Sequence, residues 1–155
     1  EMPESYFAQD YYLSIGYSLP AGLGIGLAAA GKRPIVLIGD GAFQMTAQEF
    51  SSYRRNGVNA VIFVLNNHGY VIERLIHDGP YNEIHPWAYH KVPEALGCPP
   101  GILARTEGEL EVEPVALAAV HVDLGLVEVE VLGRHLAAPA VAAHELTGDV
   151  ERHGR

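Results

Sequence analysis

The run Ile35-Val36-Leu37-Ile38-Gly39-Asp40-Gly41, taken with Val61-Ile62-Phe63-Val64-Leu65-Asn66-Asn67-His68-Gly69-Tyr70-Val71-Ile72-Glu73, decides the fold. Each part opens with a short apolar stretch rich in β-branched residues, of the length expected for a buried parallel strand. Each then breaks into a polar, glycine-containing cluster, so both clusters sit at the carboxyl ends of strands. In open α/β sheets ligands bind at that edge, where a following helix offers backbone N–H groups to an anion.

Between the two strands, Thr46 to Arg55 predicts a helix. Thr46 and Glu49 have capping-box spacing, Phe50 and Tyr53 share a face, and Asn56-Gly57 ends it. Strand, helix, strand with short connections is a parallel crossover unit. The predicted class is therefore α/β, a doubly wound, mostly parallel sheet with helices on both faces. Upstream, Pro20 to Ala30 predicts a helix with an early proline, closed by Gly31. Gly22, Gly24 and Gly26 lie inside that helix and ahead of the strand, the wrong context for a dinucleotide fingerprint, and are read as small residues for close packing.

Downstream, Asp78-Gly79-Pro80 and His85-Pro86-Trp87 punctuate residues 74–90 into an ordered loop. Lys91 to Leu96 predicts a short helix. Thr106 and Glu109 form a second capping box, for a helix running towards His121 with Pro114 as a kink. Leu126 to Leu132 alternates valine with glutamate, which predicts an edge or partly covered strand with one polar face. Ala137 to Leu146 is a further helix candidate.

The 155 residues, 48% of them apolar, suffice for one globular domain. A net charge of −9 argues against nucleic acid or an anionic membrane surface as partner. No stretch is long and apolar enough to span a bilayer, and the expected compartment is the cytoplasm. The single cysteine, Cys98, excludes an internal disulfide and is expected to have no chemical role. No HExxH spacing occurs among the eight histidines.

Asp40 between two glycines is a short carboxylate on a sharp turn. Asn67 brings an amide oxygen from the neighbouring strand end, and Gly69 lets a backbone carbonyl point the same way. One charged and two neutral oxygens suit Mg²⁺ when phosphate oxygens complete an octahedron, so a magnesium-bound diphosphate is the expected ligand. With no Lys/Arg cluster near Asp40 or Asn67, the anion must be held by backbone N–H groups and the metal.

Gly39-Asp40-Gly41, a spacer of residues 42–65, then Asn66-Asn67, resembles the diphosphate-binding motif of thiamine-diphosphate-dependent enzymes. The run from Asn66 through Glu73 to Asn82 is similar to the pyruvate and indolepyruvate decarboxylase branch. The resemblance implies that Asp40, Asn67 and the Gly69 carbonyl bind Mg²⁺, and that Gly41 and Ala42 give backbone contacts to the diphosphate. Gly39, Tyr70 and Ile72 belong to the same implied contacts, with Ile72 beside the substrate. Ile15 matches the bulky residue that props the cofactor in its bent shape. Leu13 stands where the family usually has a glycine whose carbonyl holds the pyrimidine amino group. Glu73 is the implied acid/base in conversion of a 2-oxo acid to an aldehyde and CO₂.

On this reading residues 1–12 are a linker or interdomain segment, 13–135 the thiamine-diphosphate-binding domain, and 136–155 a C-terminal helix and tail. The family also needs a pyrimidine-binding domain, for which this chain is too short. It is expected on a missing segment or a partner subunit, in a homo-oligomer, and the chain alone is expected to be inactive. Alternatives are an acetohydroxyacid-synthase-like carboligase domain, which offers no match for the Glu73 carboxylate, and a non-catalytic cofactor-binding subunit. A haloacid-dehalogenase-like phosphatase is set aside, because Ala42-Phe43-Gln44-Met45 stands where that family needs Asn-Asp and no Asp-x-Asp occurs.

Overall fold

A computed structural model describes residues 6–9, 11–29, 31–110 and 124–130. Four strands, β1 (Ile35–Gly39), β2 (Val61–Asn66), β3 (Ile102–Ala104) and β4 (Gly125–Glu130), form one all-parallel sheet in the order β1-β2-β4-β3. Helix α1 (Ser18–Ala28) precedes β1, α2 (Asp40–Thr46) and α3 (Glu49–Arg55) follow it, and α4 (Val71–Ile76) follows β2. Two 3₁₀ turns, Pro80–Asn82 and Tyr89–Lys91, and the short α5 (Val92–Ala95) complete the connection to β3.

The core follows from strand alternation. Val36, Ile38, Ile62, Val64 and Leu126 face one way and bury Leu19 of α1, Phe43 of α2, and Phe50 and Tyr53 of α3. Ala104 and Val127 face the other way and pack with Phe63, Val129 and Leu110, the last in a helical turn at 107–110. The winding explains that split. From β1 to β2 to β3 the chain advances across the sheet and then steps back to β4, and the helical turn at 107–110 that begins the return packs on the opposite face through Leu110, as a right-handed crossover running backwards requires.

Several expected details differ. The helix expected over Thr46 to Arg55 is broken in two, and its capping box is not formed. The Thr46 hydroxyl instead donates to the Gly16 carbonyl at 3.0 Å, and α3 starts after Gln48 without a side-chain cap. Gly39-Asp40-Gly41 is less a free turn than the start of α2, with extended Gly39 preceding helical Asp40. The helix expected from Lys91 to Leu96 is a 3₁₀ turn followed by one α-turn. Strand β3 was not expected, because three residues are too few for a period to register.

The largest correction concerns β4. It is no edge strand: it bonds β2 on one side and β3 on the other, and Glu128 within it is 4% exposed. Alternating glutamates predict one polar face on an edge or partly covered strand, and Glu128 on that face finds its partners inside the protein. The second capping box does form, with Glu109 N–H donating to Thr106 Oγ1 and Thr106 N–H donating to Glu109 Oε2, each at 3.2 Å. The Arg105 amide, which donates to Glu109 Oε2 at 2.7 Å, and then the Thr106 amide hold the Glu109 carboxyl below the usual carboxylate range. The reach of that helix to His121 and the helix over residues 137–146 lie outside the described residues.

Helix α1 owes its close seat to its glycines. A Cβ on Gly22 would overlap Tyr53 Oη and Val36 Cγ2, and one on Gly26 would overlap Val58, whereas Gly24 faces open space. The Tyr53 hydroxyl beneath Gly22 donates to the Leu19 carbonyl at 2.6 Å. Gly22→Ala is thus expected to lower stability by about 1–3 kcal/mol through overpacking. Gly24→Ala, with room for the methyl, is expected to gain up to roughly 1 kcal/mol of helix propensity. Thermal unfolding of the two variants beside wild type checks the contrast.

Candidate functional site

Asp40 is the first residue of α2, at the carboxyl end of β1, and is 1% exposed. A buried carboxylate needs donors, and backbone geometry supplies them. Its Oδ1 accepts from the Gly41 N–H and its Oδ2 from the Gly69 N–H, both at 2.8 Å. The second bond depends on the turn after β2. His68 has φ 64° and Gly69 φ 111°, and these left-handed residues fold the chain back towards Asp40. At Gly69 a Cβ would lie 2.9 Å from the Arg74 guanidinium and 3.1 Å from the Asn82 carbonyl, so both the conformation and the space call for glycine.

Asn67 completes the cluster. With its amide oriented to suit its neighbours, Nδ2 donates to Asp40 Oδ1 at 2.9 Å and to the Gly69 carbonyl at 3.0 Å. Those distances have a second meaning. Oxygens adjacent in an Mg²⁺ octahedron, at roughly 2.0–2.1 Å from the ion, are about 2.9 Å from each other. A half-turn of the amide would put Asn67 Oδ1 at the same distances from the same two oxygens. The donor set, one carboxylate with two neutral oxygens, thus fits Mg²⁺ in charge and in spacing.

Tyr70 lies across the start of α2. A Cβ at Gly41 would sit 2.7–3.2 Å from its ring atoms, and its hydroxyl donates weakly to the Gly41 carbonyl at 3.4 Å. Burial, then the charges of Glu73 and Asp40, raise the phenol above its ordinary value, which keeps it a donor. The N-cap residue Gly39 offers no side chain and the Gly41 amide is taken by Asp40 Oδ1, which leaves the next first-turn amide, that of Ala42, to meet an anion.

Glu73 lies in the first turn of α4, a helix with no buried residue. Its carboxylate makes no hydrogen bond or ion pair among the described residues. The neighbours that would tie it up as a surface residue are engaged elsewhere: Arg74 donates to the His68 carbonyl and pairs with Glu83, and His77 bonds the Tyr81 hydroxyl. Ile72 beside it is 61% exposed.

Leu13 and Ile15 are also exposed. They are carried by a segment docked on α2 through Gly16, whose carbonyl holds Thr46 and which has no room for a side chain against Thr46 and the Ala42 carbonyl. Leu13 has φ 46°, so the backbone keeps the left-handed shape that glycine adopts freely. Asp40, Asn67, Gly69, Gly41 and Tyr70 are brought together directly, while Leu13, Ile15, Ile72 and Glu73 stand on flanking segments.

Sequence reasoning missed three participants. Glu128 Oε1 accepts from Asn66 Nδ2 at 2.8 Å, and Oε2 accepts from the His90 N–H at 3.1 Å and from His90 Nδ1 at 2.6 Å. The signal was present, since a glutamate inside an apolar strand must be paired. The third, Gln44, extends from α2 to the His85 carbonyl at 2.7 Å and the Tyr89 hydroxyl at 2.9 Å. Cys98 is buried, and burial pushes its thiol up, which leaves it unreactive.

A family model described as thiamine pyrophosphate enzyme, C-terminal TPP binding domain, matches residues 1–129. An alpha-keto-acid decarboxylase of Mycobacterium leprae is 45% identical over 141 residues, covering 88% of this chain and 24% of that protein. One of Mycolicibacterium paratuberculosis is 43% identical over 139 residues, covering 87% of this chain and 24% of that protein. The chain therefore spans about a quarter of the length of these relatives. The thiamine diphosphate-dependent 4-hydroxybenzoylformate decarboxylase of Rhodococcus jostii RHA1 superposes with a TM-score of 0.67 at 24% identity, over 75% of this chain and 23% of that one, a likeness of fold. By the match over residues 1–129, this chain belongs to the family of C-terminal thiamine-pyrophosphate-binding domains of thiamine pyrophosphate enzymes.

Proposed function

We propose that the chain is the magnesium-diphosphate-binding half of a thiamine-diphosphate-dependent decarboxylase that converts a 2-oxo acid to an aldehyde and CO₂. The observation that carries the proposal is the convergence of Asp40, Asn67 and the Gly69 carbonyl at Mg²⁺ spacing on the carboxyl edge of the sheet. The relatives named as alpha-keto-acid decarboxylases support the reaction class.

In this reading Asp40, Asn67 and Gly69 hold Mg²⁺, and the metal ties down the diphosphate. The Gly39-Gly41-Ala42 turn would present backbone N–H groups to the same anion, that of Gly41 in exchange for its bond to Asp40 Oδ1, with Tyr70 lying against Gly41. Leu13 and Ile15 border the cofactor from the segment docked on α2. When bound, thiamine diphosphate supplies the nucleophilic carbon and the electron sink for loss of CO₂. The chain supplies position and a proton: Ile72 lines the substrate side, and the Glu73 carboxyl delivers a proton to the carbon that has lost CO₂, then takes one back as the aldehyde departs. The remaining wall comes with a pyrimidine-binding domain on a missing segment or a partner subunit, a reading that the chain's quarter share of its relatives supports, and the proposed assembly is a homo-oligomer. Among the described residues no helix is long and apolar enough to cross a membrane. The cytoplasm is the proposed compartment.

Two substitutions in the complete protein test separate parts of the proposal. Asp40→Ala removes the one charged metal ligand and is expected to abolish the Mg²⁺-dependent heat of thiamine diphosphate binding in titration calorimetry; equal heats would remove the site assignment. Glu73→Gln is expected to retain that heat while turnover of a 2-oxo acid falls by roughly 10²–10⁴-fold. Unchanged turnover would take the proton-transfer role away from Glu73.

A further inference from the structure

Glu128 is a charge placed where none is needed for sheet formation. It lies on central β4, 4% exposed, with β2 and β3 bonded on its two sides. Its three partners are all donors, so both carboxylate oxygens are engaged as acceptors. One of them, Asn66, is the last residue of β2 and directly precedes Asn67. The other two belong to His90, whose carbonyl also accepts from the Gly101 N–H at 2.8 Å. His90 is thereby held at its amide, its imidazole and its carbonyl.

The links close a ring around the metal cluster. Asp40 and Gln44 are one helical turn apart on α2, and Gln44 holds the hydroxyl of Tyr89. Tyr89 precedes His90, His90 bonds Glu128, Glu128 bonds Asn66, and Asn66 leads into Asn67, whose amide returns to Asp40. We infer that Glu128, acting through Asn66 and His90, is a positioning residue that sets the Asn67 amide and the 85–90 loop relative to Asp40, and so sets the affinity of the site for Mg²⁺. The inference rests on the metal assignment proposed above.

Glu128→Gln is the informative change because it keeps shape while leaving one acceptor oxygen for three donors. At least one buried donor then loses its partner, either a His90 donor or, after a half-turn of the Asn66 amide that lets its unpartnered Oδ1 accept from the new amide, Asn66 Nδ2. Changes to groups that orient metal ligands typically weaken metal binding by 10–100-fold.

The test uses the complete protein, with Mg²⁺ titrated at fixed thiamine diphosphate and bound cofactor counted by equilibrium dialysis. Thermal unfolding without metal or cofactor is measured alongside. Glu128→Gln is expected to raise the half-saturating Mg²⁺ concentration roughly tenfold, with kcat at saturating Mg²⁺ unchanged. His90→Ala, which removes the imidazole donor alone, is expected to shift it in the same direction by less, and it decides the matter should Glu128→Gln fail to fold. An unchanged half-saturation in both variants, or in His90→Ala when it alone folds, overturns the inference, even where the melting temperature falls. Asp40→Asn separates the two layers. If wild type shows no Mg²⁺-dependent retention, or Asp40→Asn retains it, the metal assignment fails and this inference with it; if Asp40→Asn loses it while both other variants titrate like wild type, the positioning role alone fails.

Discussion

The geometry of the site depends on satisfying the Asp40 carboxylate at 1% exposure. A charge removed from water costs several kcal/mol unless donors replace the solvent, and hydrogen bonds to a charged group return roughly 1.5–3 kcal/mol each. Gly41 N–H, Gly69 N–H and the Asn67 amide provide three. Each imposes a condition on the sequence. The Gly69 bond requires two consecutive left-handed residues, His68 and Gly69, which only a short polar turn ending in glycine accepts readily. Gly41 must lack a Cβ so that Tyr70 can lie over it.

The two asparagines divide the work. Successive side chains at the end of a strand point to opposite sides. Asn66 turns towards the core, where it meets Glu128, and Asn67 turns to the cluster, where it meets Asp40. Adjacent residues are thus anchored on different buried carboxylates, one from β1's end and one from β4. In a low-dielectric interior such links strengthen one another and resist partial loss. Strand β4 has to be central for this to work, because an edge strand would leave Glu128 hydrated and free of its partners.

The sequence was most legible where one local pattern decided the outcome. The apolar runs at 35–38 and 61–65 became β1 and β2, and the clusters after them met at the sheet edge, because strand length and strand-end chemistry are short-range properties. What escaped depended on distant partners. Thr46 and Glu49 had the right spacing for a capping box, but Gly16, 30 residues away, claimed the Thr46 hydroxyl. Glu128 looked solvent-facing until Asn66, 62 residues away, and His90, 38 residues away, were placed beside it. Alternation reports which residues share a face, and tertiary pairing decides whether that face is wet. Strand β3 escaped for a different reason: three residues carry no period, and it exists because β4 offers it an edge.

The Asp40-Asn67-Gly69 side of the site is enclosed and internally bonded, whereas the side that carries Ile72 and Leu13 is open. Ile72 is 61% exposed and Leu13 60%, and α4 buries nothing. Apolar surface of that kind is stabilised by burial at roughly 25 cal/mol per Å², so a second protein surface laid on these residues would be held by them as well as served by them. The division has a chemical logic under the proposed function. Metal and diphosphate need fixed oxygens before anything binds, and one folded unit can supply those, whereas proton transfer by Glu73 needs water kept out, which a single open edge does not provide. The left-handed Leu13 fits the same division. A leucine at φ 46° costs roughly 1–2 kcal/mol relative to glycine, and its exposed side chain recovers nothing within the described residues. Any return on that strain must come from the surface that closes the site.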